Sequence, residues 1–189
     1  MINFMSPFNE PLKKFIEIYN DALKKGQLNI ESICISTSSE NGIPSSRMVN
    51  IKYVEDNNFV FFTNYNSKKS NDLKNNNNIS CVFYWPSIDN QIRINGIAEK
   101  IDSKESDIHF NNRDRKKNAL AISSNQSKKI ISYEKVLEQY QEVLNSNDCL
   151  KRPEYWGGFK IIPQYYEFWL GNDSRTVSYT HLRAHETNS

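Results

Sequence analysis

The chain has 189 residues, of which 38% are hydrophobic and 12% aromatic, and this length and composition suit one globular domain with a real core. A formal net charge of +2 is too small to argue for a nucleic-acid or membrane partner. No apolar run approaches the roughly 20 residues of a membrane span, and the N-terminus lacks the pattern of a signal peptide. We therefore expect a cytoplasmic protein.

The three cysteines, Cys34, Cys81 and Cys149, are odd in number and widely spaced. This pattern predicts neither a disulfide framework nor a zinc site, and Cys34 and Cys81 are most simply small core residues. His181, His185 and Glu186 lie close together but do not form an H-E-x-x-H motif, so no metal site is predicted.

The first predicted elements are a helix and a strand. Apolar residues at helical spacing over residues 11 to 25, with charged residues between them, predict an amphipathic helix that ends near Gly26. Residues 33 to 38 predict a short strand, and residues 40 to 42 predict a turn.

A β-hairpin is predicted next, with strands over residues 47 to 54 and 59 to 63. Alternation divides the first strand into one face with Arg47, Val49, Ile51 and Tyr53 and another with Met48, Asn50, Lys52 and Val54. At about 3.3 Å per residue, Arg47 and Lys52 lie roughly 17 Å apart on opposite faces, so one small anion cannot contact both.

A short helix is predicted from Ser67, its N-cap, through Leu73, and it carries Lys68 and Lys69 in its first turn. Cations there oppose the helix dipole, so the placement favours an anion, most naturally a phosphate, bound at the free amides. The alternative is a solvated lysine pair in a lysine-rich chain.

This stretch resembles the pyridoxamine 5′-phosphate oxidase family, FMN enzymes of the vitamin B6 pathway. The family pattern is R-x-V-x-x-K, then Y-T-N, then S-R/K-K. At these positions this sequence has Arg47, Val49, Lys52, Phe62, Thr63, Asn64, Ser67, Lys68 and Lys69. The resemblance continues without obvious gaps to about Arg175.

Further strands are predicted over residues 79 to 85 and 91 to 101, and helices over residues 103 to 112, 116 to 122 and 133 to 144. The last helix is expected to point Val136, Leu137, Tyr140 and Val143 inward.

His109, Arg113 and Lys117 recur every four residues and share one face if the path stays helical. That face is either an exposed basic surface or a second phosphate site. The resembled family holds the phosphate of its substrate at these positions, where only Arg113 matches the residue type of the family.

A second signature covers residues 153 to 171, PEYWGGFKIIPQYYEFWLG. Gly157 and Gly158 allow a tight bend or a close backbone approach, and two strands are predicted across Pro163. The same family has P-x-x-W-G-G-F and then E-F-W-x-G.

The C-terminal residues depart from the family, which continues R-L-H-D-R and closes with a strand. Arg175 matches, but Thr176 and Val177 replace the Leu and His, and Tyr179 replaces the second Arg. Residues 176 to 189 show no strand or helix period and look non-native, so we exclude them from fold reasoning. We expect one domain over residues 1 to 175, without the family's last strand.

By periodicity alone the chain is α+β and mostly antiparallel. No glycine-rich phosphate loop, carboxylate pair or Ser-His-Asp set stands out, which fits a protein whose chemistry belongs to a bound cofactor. The resemblance implies an FMN-binding split β-barrel of Greek-key topology with flanking helices. It also implies a homodimer with FMN between the subunits.

The resemblance further implies a reaction and its residues. FMN would take a hydride equivalent from pyridoxamine or pyridoxine 5′-phosphate, and O2 would reoxidise it, giving pyridoxal 5′-phosphate and hydrogen peroxide. The implied FMN site comprises Arg47, Met48, Val49, Asn50, Ile51, Lys52, Phe62, Thr63, Lys68, Lys69, Gln91, Gln126, Ser127 and Trp169. The implied substrate site comprises Lys52, His109, Arg113, Lys117 and Arg175, with Arg175 over the reacting side as the catalytic candidate.

Two alternatives remain beside this reaction. A related flavin oxidase or reductase with another substrate is favoured by the changes at His109 and Lys117. A flavin- or phosphate-binding module without turnover is favoured by the missing His after Arg175 and by the lost last strand.

Overall fold

A computed structural model of the chain describes residues 1–5, 8–123, 132–171 and 178–183. The strands are β1 (Asn3–Met5), β2 (Ser32–Ser38), β3 (Pro44–Glu55), β4 (Asn58–Asn64), β5 (Asn78–Trp85), β6 (Asn90–Lys100), β7 (Trp156–Leu170) and β8 (Ser178–Arg183). The helices are α1 (Glu10–Lys24), α2 (Lys68–Asn75), α3 (Ser103–Asn111), α4 (Arg115–Ser123) and α5 (Tyr133–Asn145). Short 3-10 turns cover Pro86–Ile88 and Asn147–Leu150.

Six strands form a closed antiparallel barrel. The hydrogen-bonded order is β3-β2-β5-β6-β7-β4, and β4 pairs again with β3, which closes the ring. β1 pairs in parallel with β3, and β8 pairs antiparallel with the C-terminal end of β7. The predicted fold class, a mostly β α+β chain built as an antiparallel barrel with flanking helices, is confirmed.

The core of the barrel follows from strict alternation in the central strands. β2 buries Ile33 and Ile35, and the neighbouring β5 buries Cys81 and Phe83. α1 begins at its N-cap Asn9, whose side chain accepts from the Leu12 amide, and it inserts aromatic and aliphatic side chains into this core. The central aromatic contacts join Phe15 with Phe59, Phe83 and Trp85 at centroid separations of 5.1, 5.1 and 5.5 Å.

The contacts divide the chain into two compact units. One comprises Met1–Phe61, Asp72–Glu99 and Lys160–Ser189, and the other comprises Phe62–Asn71 and Lys100–Phe159. The expectation of one domain over residues 1 to 175 stays a prediction.

The predicted hairpin forms, but its alternation is interrupted. The pairing of β3 with β4 shifts register between Ile51 and Tyr53, and Ile51 and Val54 are both fully buried. A β-bulge adds one residue and so exchanges the faces beyond it. The prediction that Val54 shares the face of Met48 was therefore wrong.

Three predictions about the later elements were also wrong. Leu137 on α5 is 43% exposed, although helical spacing predicted an inward position. β7 runs unbroken through Pro163, where two strands were expected. Residues 178 to 183 form β8, because pairing with β7 stabilises a strand that lacks any alternating pattern of its own.

Within the described residues, no helix has both the length and the apolar character that crossing a membrane requires. The cytoplasmic location expected from the sequence stays a prediction.

Candidate functional site

Arg47 is held in position by side chains of its own unit. It lies on β3 opposite Ile35, so its side chain starts from the core face of the sheet and is half-buried. Its Nη1 donates to Thr37 Oγ1 at 2.7 Å, and its Nη2 donates to Ser45 Oγ at 2.8 Å. The guanidinium plane is thereby oriented before any ligand binds.

A buried carboxylate accompanies this arginine. Asp72 on α2 accepts a hydrogen bond from Thr37 Oγ1 at 2.7 Å, and its Oδ2 lies 4.0 Å from Arg47 Nη2. Burial lowers the pKa of Arg47, and the Asp72 carboxylate opposes that effect. Arg47 stays charged at neutral pH because an arginine pKa starts above about 12.

The two lysines that begin α2 have different environments. Lys68 is exposed, whereas Lys69 is only 8% exposed. The Lys69 ammonium donates to Thr63 Oγ1 at 2.9 Å and to Ser67 Oγ at 3.1 Å. Helix α2 begins directly after Ser67, as predicted, and the alternative of two solvated lysines is wrong for Lys69.

Met48, Gln91 and Trp169 lie on the outer face of the barrel sheet. Met48 is paired with Cys34, and Gln91 is paired with the exposed Tyr84. Trp169 follows the buried Phe168 and therefore points the other way.

An ion pair on the same outer face connects β6 and β7. Arg93 Nη1 contacts Glu167 Oε2 at 2.9 Å and Oε1 at 3.0 Å. Since Gln91 and Trp169 are each two residues from a member of this pair, all four side chains project from one surface.

In the second unit, aromatic rings stack in parallel around Phe62. The ring centroids of His109 and Phe62 are 3.7 Å apart, with an interplanar angle of 12°. The ring centroids of Trp156 and Phe62 are 5.4 Å apart, with an interplanar angle of 15°. The Arg113 guanidinium sits 4.7 Å above the Trp156 ring. Sequence reasoning missed Trp156, although its place in the W-G-G-F signature was a signal.

The predicted basic helix face does not form. α3 ends at Asn111 and α4 begins at Arg115, where Asp114 Oδ1 accepts from the Lys116 amide at 2.8 Å. His109 therefore lies on α3, Arg113 in the connection and the exposed Lys117 on α4. His109 and Arg113 come together through the aromatic rings and not through helical spacing.

Arg113 carries an unusual polar group. Its Nη1 is buried and has no hydrogen-bond partner among the described residues, and burial lowers the pKa of the guanidinium. A buried donor of this kind costs free energy unless a ligand or water accepts from it. This group suits an anionic ligand.

The remaining predicted site residues divide into three groups. Ile51 is a core residue, whereas on the same strand Val49 is half-buried and Asn50 is exposed. Lys52 lies 3.7 Å from Glu31. Gln126, Ser127 and Arg175 lie outside the described residues.

No group of three or more His, Cys, Asp or Glu side chains that could hold a metal ion occurs in the described ranges. The arrangement is instead one of oriented cations, hydroxyls and aromatic rings. Such groups recognise phosphates and flat ring systems.

The closed barrel with these cations and rings defines a protein of the split-barrel class. Its solved relatives by fold include PhzG from Burkholderia lata 383 in complex with tetrahydrophenazine-1-carboxylic acid, with a TM-score of 0.85, 23% identity and 94% of both chains covered. They also include a pyridoxamine 5′-phosphate oxidase-related, FMN-binding protein from Nostoc punctiforme, with a TM-score of 0.73, 15% identity, and 95% of this chain and 100% of that chain covered.

The chain belongs to the pyridoxamine 5′-phosphate oxidase family, whose sequence model matches residues 20–144. It is 38% identical over 180 residues to the pyridoxine/pyridoxamine 5′-phosphate oxidase of Legionella pneumophila strain Paris, covering 94% of this chain and 83% of that protein. It is 34% identical over 184 residues to the chloroplastic enzyme 1 of Arabidopsis thaliana, covering 92% of this chain and 35% of that protein.

Proposed function

We propose that this protein is an FMN-dependent oxidase that converts pyridoxamine 5′-phosphate or pyridoxine 5′-phosphate to pyridoxal 5′-phosphate, with O2 as acceptor and hydrogen peroxide as product. The observation that carries the proposal is the sheltered, pre-oriented guanidinium of Arg47, held by two hydroxyls at 2.7 and 2.8 Å. Planar donors fixed in this way suit a phosphate, because little rotamer entropy is lost when the anion binds.

The residues present fit FMN in their chemistry. Arg47, Lys68 and Lys69 would hold its phosphate, and the hydroxyls of Thr63 and Ser67 around Lys69 add further polar partners. Met48, Gln91 and Trp169 would border the flavin ring with an apolar and aromatic surface that can also offer an amide.

When bound, FMN supplies the hydride acceptor, so the chain needs to supply only binding, orientation and exclusion of water. Arg113 would donate to the substrate phosphate, since its buried Nη1 lacks a partner in the described part of the chain. The Trp156 ring, whose centroid lies 4.7 Å from that guanidinium, would cover it on one side. Lys52 and Lys117 would add positive charge.

We also propose a homodimer. The outer face of β2 and β5 carries Cys34, Val82 and the 55% exposed Tyr84 beside the 60% exposed Met48. An apolar sheet face of this kind suits a second copy of the chain. A second copy is the occupant we propose because Met48 and Gln91, which the family assigns to the cofactor, lie on the same face.

An absorption spectrum tests the proposed function. Purified protein, reconstituted with FMN, is expected to be yellow and to lose its flavin absorption band on anaerobic addition of pyridoxamine 5′-phosphate. Air is then expected to restore the band and release peroxide. Protein that cannot be reconstituted with FMN contradicts the proposal.

Arg47→Ala is the matched variant for the cofactor site. It is expected to weaken FMN binding by about 1–3 kcal/mol, because a hydrogen bond to a charged group is lost. Fluorescence titration of FMN measures the change, and Lys24→Ala at the exposed end of α1 is the control. Unchanged affinity for FMN in Arg47→Ala removes this assignment.

A related flavin enzyme with another substrate is the second candidate. The flat stacking of His109 on Phe62 favours it, because the resembled family has a tyrosine at position 109 and the imidazole offers a different donor. A panel of amines and alcohols, with and without a phosphate group, separates the two candidates. Turnover of a non-phosphorylated compound without turnover of B6 phosphates supports the second.

A further inference from the structure

Asp72 is a buried carboxylate for which the proposed reaction has no direct use. It is 5% exposed and lies in the middle of α2. Burying a carboxylate costs several kcal/mol unless it is paired and hydrogen-bonded. The hydrogen bond from Thr37 at 2.7 Å and the Arg47 guanidinium at 4.0 Å contribute to that compensation.

The direction of each hydrogen bond in this cluster is determined by chemistry. A guanidinium can only donate, and an ionised carboxylate can only accept. Thr37 Oγ1 must therefore accept from Arg47 Nη1, and it must give its single hydrogen to Asp72. The carboxylate orients the hydroxyl, and the hydroxyl orients the guanidinium.

This arrangement leaves the arginine able to bind an anion. Thr37 and Ser45 use two of the five N–H donors of the guanidinium, and within the described residues the other three make no hydrogen bond. The Asp72 carboxylate sits beside one edge of the guanidinium and does not form a close bidentate pair with it, since the Nη2 to Oδ2 distance is 4.0 Å. The Asp72 carboxylate therefore balances the charge of Arg47 only in part, and the guanidinium can still attract an anion.

We propose that Asp72 is a positioning residue that acts through Thr37 to orient Arg47 toward the phosphate of the flavin. This inference rests on the proposed function, because it assigns Arg47 to the FMN phosphate. Asp72 itself does not touch the ligand. Its effect on binding therefore depends on both Thr37 and Arg47.

Thr37→Val and Asp72→Asn test the proposal by fluorescence titration of apoprotein with FMN. Thr37→Val keeps the shape of the side chain and removes the hydroxyl, and we expect it to raise the Kd for FMN about 10-fold. Thr37→Ser retains the hydroxyl and is expected to bind FMN like the wild type. Asp72→Asn keeps an acceptor but removes the charge, so we expect a smaller rise of about 3-fold.

Two comparisons separate positioning from a general loss of structure. Riboflavin lacks the phosphate, so its affinity is expected to be unchanged in Thr37→Val and Asp72→Asn. In an Arg47→Ala background, both substitutions are expected to have no further effect on the Kd for FMN, because residues that act through one group are not additive. Asp56→Asn, in the exposed turn between β3 and β4, is the matched control.

Each outcome bears on the inference. Additive effects in the Arg47→Ala background, or an equal loss of riboflavin affinity, overturn the positioning role and leave the proposed function intact. If Asp72→Asn does not fold, the comparison of Thr37→Val with Thr37→Ser still tests the role. A wild-type protein that does not bind FMN overturns both the positioning role and the proposed function.

Discussion

Single residues in this protein acquire their roles from neighbours that are distant in sequence. Lys68 and Lys69 are neighbours in the sequence and look equivalent there. In the structure Lys68 is exposed, whereas the Lys69 ammonium donates hydrogen bonds to Thr63 and Ser67. Arg47 was recognised as a candidate from its motif, but Thr37 and Asp72 belong to no motif. The partners of a charged group depend on tertiary contacts, which local patterns do not encode.

Cys81 gives a pH prediction at this scale. Burial, with a smaller contribution from Cys34, raises the pKa of the Cys81 thiol well above its usual value. The unfolded thiol ionises near pH 8.5, while the folded thiol keeps its proton. Above about pH 8.5 the unfolded state therefore binds fewer protons, and the free energy of unfolding falls as pH rises.

Urea unfolding of wild type and Cys81→Ala at pH 7.5 and 9.5 measures this effect. We expect the variant to be less stable than the wild type by about 1 kcal/mol at pH 7.5. Between pH 7.5 and 9.5 we expect the wild type to lose roughly 1.4 kcal/mol of stability relative to the variant, so that the variant becomes slightly the more stable protein. This change occurs because only the wild type carries the Cys81 titration. A gap that stays constant between the two pH values contradicts the assignment.

At the scale of elements, most helices and strands follow the sequence pattern, and the exceptions have identifiable causes. The β-bulge at Ile51 and Tyr53 exchanges the faces of β3, because closing a barrel requires local bending. β7 continues through Pro163, where Gly96 of β6 allows a close approach of the backbone at Ile162 and Pro163. The alternation of each strand was readable, but these irregularities were not.

Gly96→Ala tests that close approach. A Cβ at Gly96 would contact the backbone carbonyl of Ile162, which cannot move aside as a flexible side chain would. We expect the free energy of unfolding to fall by about 3 kcal/mol, as for a severe case of overpacking. Chemical denaturation measures the loss.

Gly42→Ala is the control for this prediction. Gly42 has a φ of 77° and no neighbouring atom within 4 Å of an added Cβ. Its substitution should cost only the backbone strain of about 1 kcal/mol. Similar losses for both variants would show that the contact with Ile162 is not the cause.

At the scale of the whole molecule, the barrel leaves an outer surface that the sequence alone could not evaluate. Cys34, Val82 and Tyr84 are separated in the chain or alternate with core residues, so their proximity depends on the pairing of β2 with β5. The resemblance to the family implied a homodimer, and this surface is where we propose that the second copy binds. The resemblance implies that FMN binds between subunits, so the two proposals are connected.

Val82→Glu tests the dimer. Position 82 is half-buried and lies directly opposite Arg93 on β6, which already pairs with Glu167. A carboxylate at position 82 would lie near this positive charge, so we expect the folded monomer to tolerate the change. A charge buried between two copies is unfavourable, and we expect a monomer by light scattering together with weaker FMN binding. Ile108→Glu, on the 62% exposed Ile108 of α3, is expected to leave the dimer unchanged. A monomeric wild type, or a variant that remains dimeric, contradicts the prediction.

The sequence by itself determined the order and type of most elements, the signatures that relate the chain to its family, and the cations that we assign to phosphate. These features are local, because alternation, capping and motif spacing act over a few residues. Only the tertiary structure decided which lysine is sheltered, how Thr37 links Asp72 to Arg47, and that residues 178 to 183 form a strand. Each of these depends on contacts between distant residues, and the free energy of burial and pairing becomes defined only when the chain has closed into its barrel.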